Sequence, residues 1–181
     1  MYQPPPLDAF ELFNQVHPLT YQAYFVEFYA DCPFTDAYLF QITWNQQEAI
    51  GHKTTWLKNQ PTYTLCEESG SLSIASVERL RSLWQSLALA PQFDFGQAGR
   101  DGHLFRLVIG HRDTSVSYQW YEVMIPDAWE ELAVVSRALQ SLATEWQGRQ
   151  KDFYRFTYTE EATVTSDRCG YWEKTHLKTL A

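Results

Sequence analysis

Alternation of apolar and polar residues on both sides of a short turn is the feature that most restricts how this chain can fold. On either side of residues 111–114 every second side chain is apolar; these residues are Phe105, Leu107, Ile109, Val116, Tyr118 and Trp120. Successive side chains of a strand point to opposite faces, so this pattern predicts an antiparallel hairpin with one face on a core. Residues 21–29 and 37–44 predict a second hairpin, and a weaker strand signal lies between residues 52 and 67.

Two further segments change from the period of a strand to the period of an α-helix. In residues 77–89 the apolar stripe consists of Val77, Leu80, Leu83, Trp84 and Leu87. In residues 129–146 the corresponding stripe consists of Trp129, Leu132, Ala133, Ser136, Leu139, Leu142, Ala143 and Trp146. Such stripes predict amphipathic helices, each of which buries one side against a neighbouring element.

The order hairpin, helix, hairpin, helix predicts the fold class α+β: antiparallel β-hairpins with two long amphipathic helices packed on one face. The chain has 181 residues, of which 45% are apolar, and this is the size of a single domain. Within that domain we expect residues 1–18 to form an N-terminal arm and residues 160–181 to form a partly ordered C-terminal tail. A further strand is predicted over residues 153–159.

Charge is distributed unevenly along the chain. The first 52 residues contain six acidic side chains and no Lys or Arg, and the first cation is Lys53. The same stretch holds twelve aromatic residues. A field of one sign steers an oppositely charged protein toward a surface, and aromatic side chains supply contact energy once it arrives. The N-terminal segment therefore predicts a surface for a basic protein partner.

The same charge pattern disfavours other partners. A net charge of −8 with dispersed cations repels phosphate backbones, so we expect no nucleic-acid binding. No segment has the length and apolarity of a membrane span, so we expect no membrane association. The three cysteines lie far apart and have an odd count, which favours reduced thiols and a cytoplasmic location.

The catalytic and metal-binding motifs that this sequence suggests are incomplete or in the wrong order. The segments 94–96 (Asp-Phe-Gly) and 111–113 (His-Arg-Asp) match two protein-kinase signatures, but they occur in reverse order and without a glycine-rich phosphate loop. None of the five histidines has a second ligand at metal-binding spacing. We therefore expect a protein without enzymatic activity and without a metal or other cofactor.

Residues 104–142 resemble the hairpin-plus-helix of emfourin-like inhibitors of metallopeptidases. The likeness lies in residues 104–109, 116–118, 129–132 and 139–142. At the turn the chain has His-Arg-Asp-Thr, where such proteins have small residues and glycines. The resemblance implies a small non-catalytic protein that acts by occupying a partner, and it assigns no inhibitory residue.

The leading hypothesis is a non-enzymatic protein-binding module of the immunity-protein or enzyme-inhibitor type, whose acidic aromatic surface binds a basic toxin or enzyme. Its predicted contact residues are Glu27, Tyr29, Asp31, Phe34, Asp36, Trp44 and Glu48. One alternative is a small-ligand-binding, accessory or oligomeric domain whose aromatic sheet faces enclose a small apolar molecule. The other is an enzyme whose site is assembled only in three dimensions, from residues such as Asp101, His103 and Glu122.

Overall fold

The computed structural model describes residues 24–31, 36–57, 63–85, 103–111, 114–121, 129–161 and 169–177. The strands within these ranges are β1 (Tyr24–Asp31), β2 (Ala37–Trp44), β3 (Ala49–Leu57), β4 (Tyr63–Ser71), β5 (Leu104–His111), β6 (Thr114–Tyr121), β7 (Gln150–Glu161) and β8 (Cys169–Leu177). The helices are α1 (Ile74–Gln85), which follows β4, and α2 (Glu130–Glu145), which lies between β6 and β7. Neither helix is long and apolar enough to cross a membrane.

All the described strands belong to one antiparallel sheet with the order β6-β5-β1-β2-β3-β4-β7-β8. Strands β1 to β4 form a meander in which each strand pairs with the next. The β5–β6 hairpin joins this meander along β1, and the β7–β8 hairpin joins it along β4. The two later hairpins therefore extend opposite edges of the same sheet.

The predicted α+β class is wrong, because the described residues form a mostly β structure around a single eight-stranded sheet with two helices. The physical reason is that several strands carry polar residues on both faces and give no clean alternation. Strand β4, for example, contains the run Cys66-Glu67-Glu68-Ser69. Strand β8 lies within the segment expected to be a C-terminal tail, and the expected arm of residues 1–18 lies outside the described residues.

One side of the sheet, which we term the helix face, packs against both helices. Its strand residues include Val26, Phe28, Phe40, Ile42, Phe105 and Leu107. The helix residues that pack on them include Val77, Leu80, Leu132, Val135 and Leu139. Burying a large apolar side chain contributes about 1.5–3 kcal/mol, so this layer supplies much of the stability of the fold.

The other side of the sheet, which we term the opposite face, has its own buried cluster. Its members are Tyr29, Ala37, Leu39, Trp56, Leu65 and Phe156. No residue of the two helices belongs to this cluster, yet Trp56 and Phe156 are each 2% exposed and their rings lie 5.4 Å apart. Polar side chains are buried on the same face, since Gln41 and Thr54 are 4% and 3% exposed. The opposite face thus combines apolar and polar groups that are both shielded from water.

The segment between α2 and β7 fixes β7 beside β4. The ring of Trp146 lies 5.5 Å from that of Phe40, and its Nε1 donates a hydrogen bond to the backbone oxygen of Ser71 at 3.2 Å. At Gly148 an added Cβ would come within 2.7 Å of the backbone nitrogen of Ser69. Only glycine allows this approach without displacing the β4 backbone. Directly after it, β7 pairs with β4 in a register that makes Glu67 and Asp152 partners.

Candidate functional site

The structure does not place the seven predicted contact residues on one surface. Tyr29 and Trp44 are 5% and 4% exposed, and they belong to the buried clusters of the opposite face and the helix face, respectively. Glu48 is exposed in the turn between β2 and β3, at the end of β2 remote from Asp36. Phe34 lies outside the described residues.

Glu27 lies in β1 on the opposite face and is partly buried. Burial raises the pKa of its carboxyl group, while the hydrogen bond from Gln41 and the charge of Arg106 act in the lowering direction. The hydrogen bond runs from Nε2 of Gln41 to Oε1 of Glu27 at 3.3 Å. Glu27 is therefore held within the sheet by its neighbours and is not a freely exposed steering charge.

Two of the predicted acidic residues do come together, in a cleft of about 150 Å³ at one end of β1 and β2. The cleft is lined by Ala30, Asp31, Asp36, Tyr38, His103, Phe105 and Gln140. Burial raises the pKa of Tyr38 to about 12, so its hydroxyl keeps its proton at neutral pH. Of the residues named for a site assembled in three dimensions, His103 lies here, whereas Asp101 and Glu122 lie outside the described residues.

A larger pocket, of about 220 Å³, lies on the opposite face across β3, β4 and β7. It is lined by His52, Thr54, Glu67, Glu68, Ser69, Asp152 and Tyr154. The register explains how they meet: Thr54, Glu67 and Asp152 are partners in one row across the three strands. We term this site the sheet pocket.

The side chains of the sheet pocket interact with one another. Glu67 accepts a hydrogen bond from the Tyr154 hydroxyl, and Asp152 Oδ1 lies 3.2 Å from His176 Nε2 on β8. Burial raises the pKa of Tyr154, and the charges of Glu67 and Asp152 add to the effect. The rings of Tyr154 and His176 lie 5.0 Å apart. Two carboxylates and a phenol thus line the pocket, and the imidazole of His176 lies beside them on β8.

The lysine of β7 lies on the other side of the sheet from the sheet pocket. Lys151 Nζ lies 2.6 Å from Glu68 Oε1, and that hydrogen bond raises the pKa of Lys151. Glu68 and Lys151 each neighbour a pocket carboxylate in sequence, so their side chains point to the helix face while those of Glu67 and Asp152 point to the opposite face. This ion pair therefore lies on the helix face.

Sequence reasoning did not identify the sheet pocket. The signal it could have used is the recurrence of polar residues at every second position, in Glu67 and Ser69 of β4 and in Asp152 and Tyr154 of β7. That signal shows a polar strip on each strand but does not reveal that β4 and β7 are neighbours. Within the described ranges, no group of three or more His, Cys, Asp or Glu residues is arranged to hold a metal ion.

Comparisons with protein-family models, with curated proteins and with solved structures gave no match to this chain. The resemblance of residues 104–142 to emfourin-like inhibitors therefore stays a prediction. In the structure this segment contains β5, β6 and most of α2.

Proposed function

We propose that this chain is a non-enzymatic binding domain that holds a small organic cation, an amine or a guanidinium compound, in the sheet pocket. The observation that carries the proposal is the position of Glu67 and Asp152, which are direct partners on the neighbouring strands β4 and β7 and line the same pocket. This proposal takes the ligand-binding alternative from the sequence and replaces its apolar ligand with a charged one.

Electrostatics favours a cationic ligand at this position. Directly opposed residues of an antiparallel pair have Cβ atoms about 4.5–5.5 Å apart, and like charges placed there destabilise the sheet. His176 offsets the charge of Asp152 when it is protonated. A bound ammonium or guanidinium group would offset the charge of both carboxylates and donate hydrogen bonds to their oxygen atoms.

The size and the walls of the sheet pocket limit the ligand further. Pockets for drug-sized molecules usually exceed about 300 Å³, so a volume of about 220 Å³ suits a smaller compound. The ring of Tyr154 can lie against a cation, which adds about 0.5–1 kcal/mol at an exposed site.

Binding without catalysis fits the exposure of the imidazole–carboxylate pair formed by His176 and Asp152 beside this pocket. The side chains of His176 and Asp152 are 50% and 30% exposed. Proton transfer and electrostatic catalysis are most effective in sites that exclude water, whereas these two side chains are open to water.

We place the protein in the cytoplasm, where the buried, unoxidised Cys66 thiol would be stable.

The test is calorimetric titration of the purified protein with agmatine, putrescine and, as an uncharged probe, n-butanol. We expect saturable binding of at least one of the two amines and none of n-butanol. Glu67→Gln and Asp152→Asn should each weaken amine binding at least about tenfold, or about 1.4 kcal/mol, because each removes a full charge from the pocket wall.

Glu78→Gln is the matched control, since Glu78 is an exposed carboxylate on α1 that pairs with Arg81 at 3.4 Å, away from the sheet pocket. It should bind the amines like the wild-type protein. Circular dichroism of every variant establishes that the fold is retained. If neither amine binds, or if Glu67→Gln and Glu78→Gln bind them equally, the proposal is overturned.

A second candidate function is the predicted binding of a basic protein, and one observation favours it. Asp31 and Asp36 line the same cleft, where they could receive a Lys or Arg side chain of an immunity-type or inhibitor-type partner. A short Lys- and Arg-rich peptide should then bind with an affinity that falls with salt, and the Asp31→Asn, Asp36→Asn double variant should abolish this binding while Glu48→Gln preserves it. Equal binding by both variants would contradict this assignment.

A further inference from the structure

The sheet pocket holds two hydroxyl groups beside its carboxylates. Thr54 on β3 and Ser69 on β4 both line the pocket. Thr54 is the direct partner of Glu67 across the β3–β4 ladder, and Ser69 follows Glu67 by two positions along β4. Side chains two positions apart on a strand share a face, so all three residues belong to the opposite face. The two hydroxyl groups therefore lie on two sides of the Glu67 carboxylate.

The Thr54 hydroxyl is shielded from water without a partner in the described part of the chain. Thr54 is only 3% exposed. Among the residues that the structure describes, none hydrogen-bonds the side chain of Thr54 or that of Ser69. Buried polar side chains normally have a hydrogen-bond partner, because leaving one without a partner costs free energy. A ligand in the sheet pocket is in a position to supply it.

The carboxylates and the hydroxyl groups occupy different parts of the sheet pocket. Asp152 on β7 is the partner of Glu67 on the side away from Thr54, so the three residues form one row in the order Thr54, Glu67, Asp152. Adjacent strands lie about 4.8 Å apart, and positions two apart on one strand lie about 6.6 Å apart. A compound that reaches both parts therefore needs a nitrogen and an oxygen separated by about three carbon atoms.

Hydrogen-bonding chemistry distinguishes the groups that could meet the two hydroxyls. The hydroxyl of threonine or serine is both a donor and an acceptor. A second ammonium group on the ligand would only donate, and both hydroxyl protons would stay without an acceptor. A carboxylate would accept both protons, but the negative charges of Glu67 and Asp152 would repel it. A ligand hydroxyl group is uncharged and can accept from one side chain while it donates to the other.

We propose that the ligand of the sheet pocket is an amino alcohol, whose cationic nitrogen lies between Glu67 and Asp152 and whose hydroxyl group hydrogen-bonds to Thr54 and Ser69. This inference rests on the function proposed above and narrows its class of ligand. Glu67 and Asp152 provide the attraction for a cation, and Thr54 and Ser69 determine which cation is preferred. A plain amine of the same length would leave the buried Thr54 hydroxyl without a partner, so it should bind less tightly.

Calorimetric titration of the full chain with 3-amino-1-propanol and with propylamine tests the proposal, because the two probes differ only in the hydroxyl group. We expect 3-amino-1-propanol to bind at least about threefold more tightly than propylamine, as one added hydrogen bond in a shielded place predicts. Thr54→Val keeps the branched shape of the side chain and removes its hydroxyl. It should therefore bring the two dissociation constants to about the same value without weakening the binding of propylamine.

Thr55→Val is the matched control, since Thr55 follows Thr54 on β3 and its side chain points to the helix face. It should keep the preference of the wild-type protein for 3-amino-1-propanol. Ser69→Ala, at a partly exposed position, should also reduce this preference, and it carries the test if Thr54→Val does not fold. Circular dichroism of each variant establishes that the fold is retained.

The failure of this inference can be told apart from the failure of the proposed function. If propylamine binds and Glu67→Gln weakens it, but 3-amino-1-propanol binds no more tightly, the amino alcohol is overturned and the cation site stands. If neither probe binds, this inference fails, and the titrations with agmatine and putrescine decide the proposed function separately. A Thr54→Val protein that weakens both probes equally would give Thr54 a structural role only and would also overturn the inference.

Discussion

Glu27 is an ionisable residue inside a row of strand positions that are mostly shielded from water. On the opposite face its neighbours in β1 are Phe25 and Tyr29, which are 3% and 5% exposed. The protein retains the carboxyl group there by providing Gln41 as a donor and Arg106 as a charge, and burial still dominates its pKa. Such a residue makes the stability of the sheet depend on pH.

The sign of this dependence follows from the raised pKa. The folded state binds the Glu27 proton more tightly than the unfolded chain, so its contribution to stability is complete at low pH and is lost as pH rises through the folded-state pKa. We expect Glu27→Gln to keep an acceptor for Gln41 and to flatten the decline of stability with rising pH. Urea unfolding at several pH values between about 4 and 8 measures this effect.

Glu48→Gln is the control for this experiment, because it makes the same chemical change at an exposed turn. It should follow the wild-type pH dependence. A Glu27→Gln protein whose stability declines with pH as steeply as that of the wild type would show that the titration of Glu27 is not coupled to folding.

At the scale of elements, helix α2 ends without a cation of its own. Its last turn contains no basic residue, so the carbonyl groups at its negative end are left to other partners. Strand β3 supplies one, since Nζ of Lys53 donates a hydrogen bond to the backbone oxygen of Ala143 at 2.7 Å. The same Nζ lies 5.8 Å from the centre of the Tyr38 ring. Lys53 therefore ties the helix end to the centre of the sheet.

We expect Lys53→Met to preserve the packing of the aliphatic chain and to remove the hydrogen bond and the charge. The loss should lower the free energy of unfolding by about 1–2 kcal/mol, since the carbonyl of Ala143 would be left without its donor in a partly buried place. Arg137→Met, at an exposed position in the middle of α2, should change it by less than about 0.5 kcal/mol. Chemical denaturation of both variants provides the measurement, and equal losses would contradict the capping role.

The elements also show how far the sequence determines this fold. The pattern over residues 129–146 predicts a helix, and α2 spans Glu130–Glu145; the alternation over residues 105–120 predicts a hairpin, and β5 and β6 form one. These patterns are local, because one face of each element is uniformly apolar. The pairing of β1 with β5 and of β4 with β7 joins distant segments, and no local pattern specifies it.

The sequence does not indicate the candidate site for the same reason: the site depends on the pairing of distant segments. Glu67 and Asp152 each look like an ordinary polar residue of a half-solvated strand when only the sequence is considered. They become a pair because β7 lies beside β4 in a register that makes them direct partners, and Gly148 allows the close approach of the chain just before β7. Tyr29 and Trp44, in contrast, suggest exposed anchors within an acidic segment, but their positions on strands with two shielded faces bury them.

At the scale of the whole molecule, the sheet has a substantial buried cluster on each face. Leu139 of α2 is fully buried on the helix face, and Trp56 is 2% exposed on the opposite face. The strands are common to both clusters, because alternate residues of β1, β2 and β3 contribute to one or the other. The two layers should therefore unfold together as one cooperative unit.

We expect Leu139→Ala to cost about 2–5 kcal/mol and Trp56→Ala about 3–5 kcal/mol, each within a single transition. Val134→Ala, at a 46% exposed position of α2, should cost less than about 0.5 kcal/mol. Unfolding followed by both circular dichroism and tryptophan fluorescence checks this, with coincident curves as the expected result. If Trp56→Ala produced a separate early transition, the opposite-face cluster would be an independent unit.

The placement of β1 and β4 in the sheet order has a consequence for synthesis on the ribosome. Both strands are bordered on one side by a hairpin that is translated later, β5–β6 for β1 and β7–β8 for β4. In a nascent chain that has completed only its first four strands, β1 and β4 therefore each lack one of their final partners. Pairing between strands that are distant in sequence is slow. We infer that nascent chains of this protein are prone to aggregation until the last two hairpins have paired with the sheet.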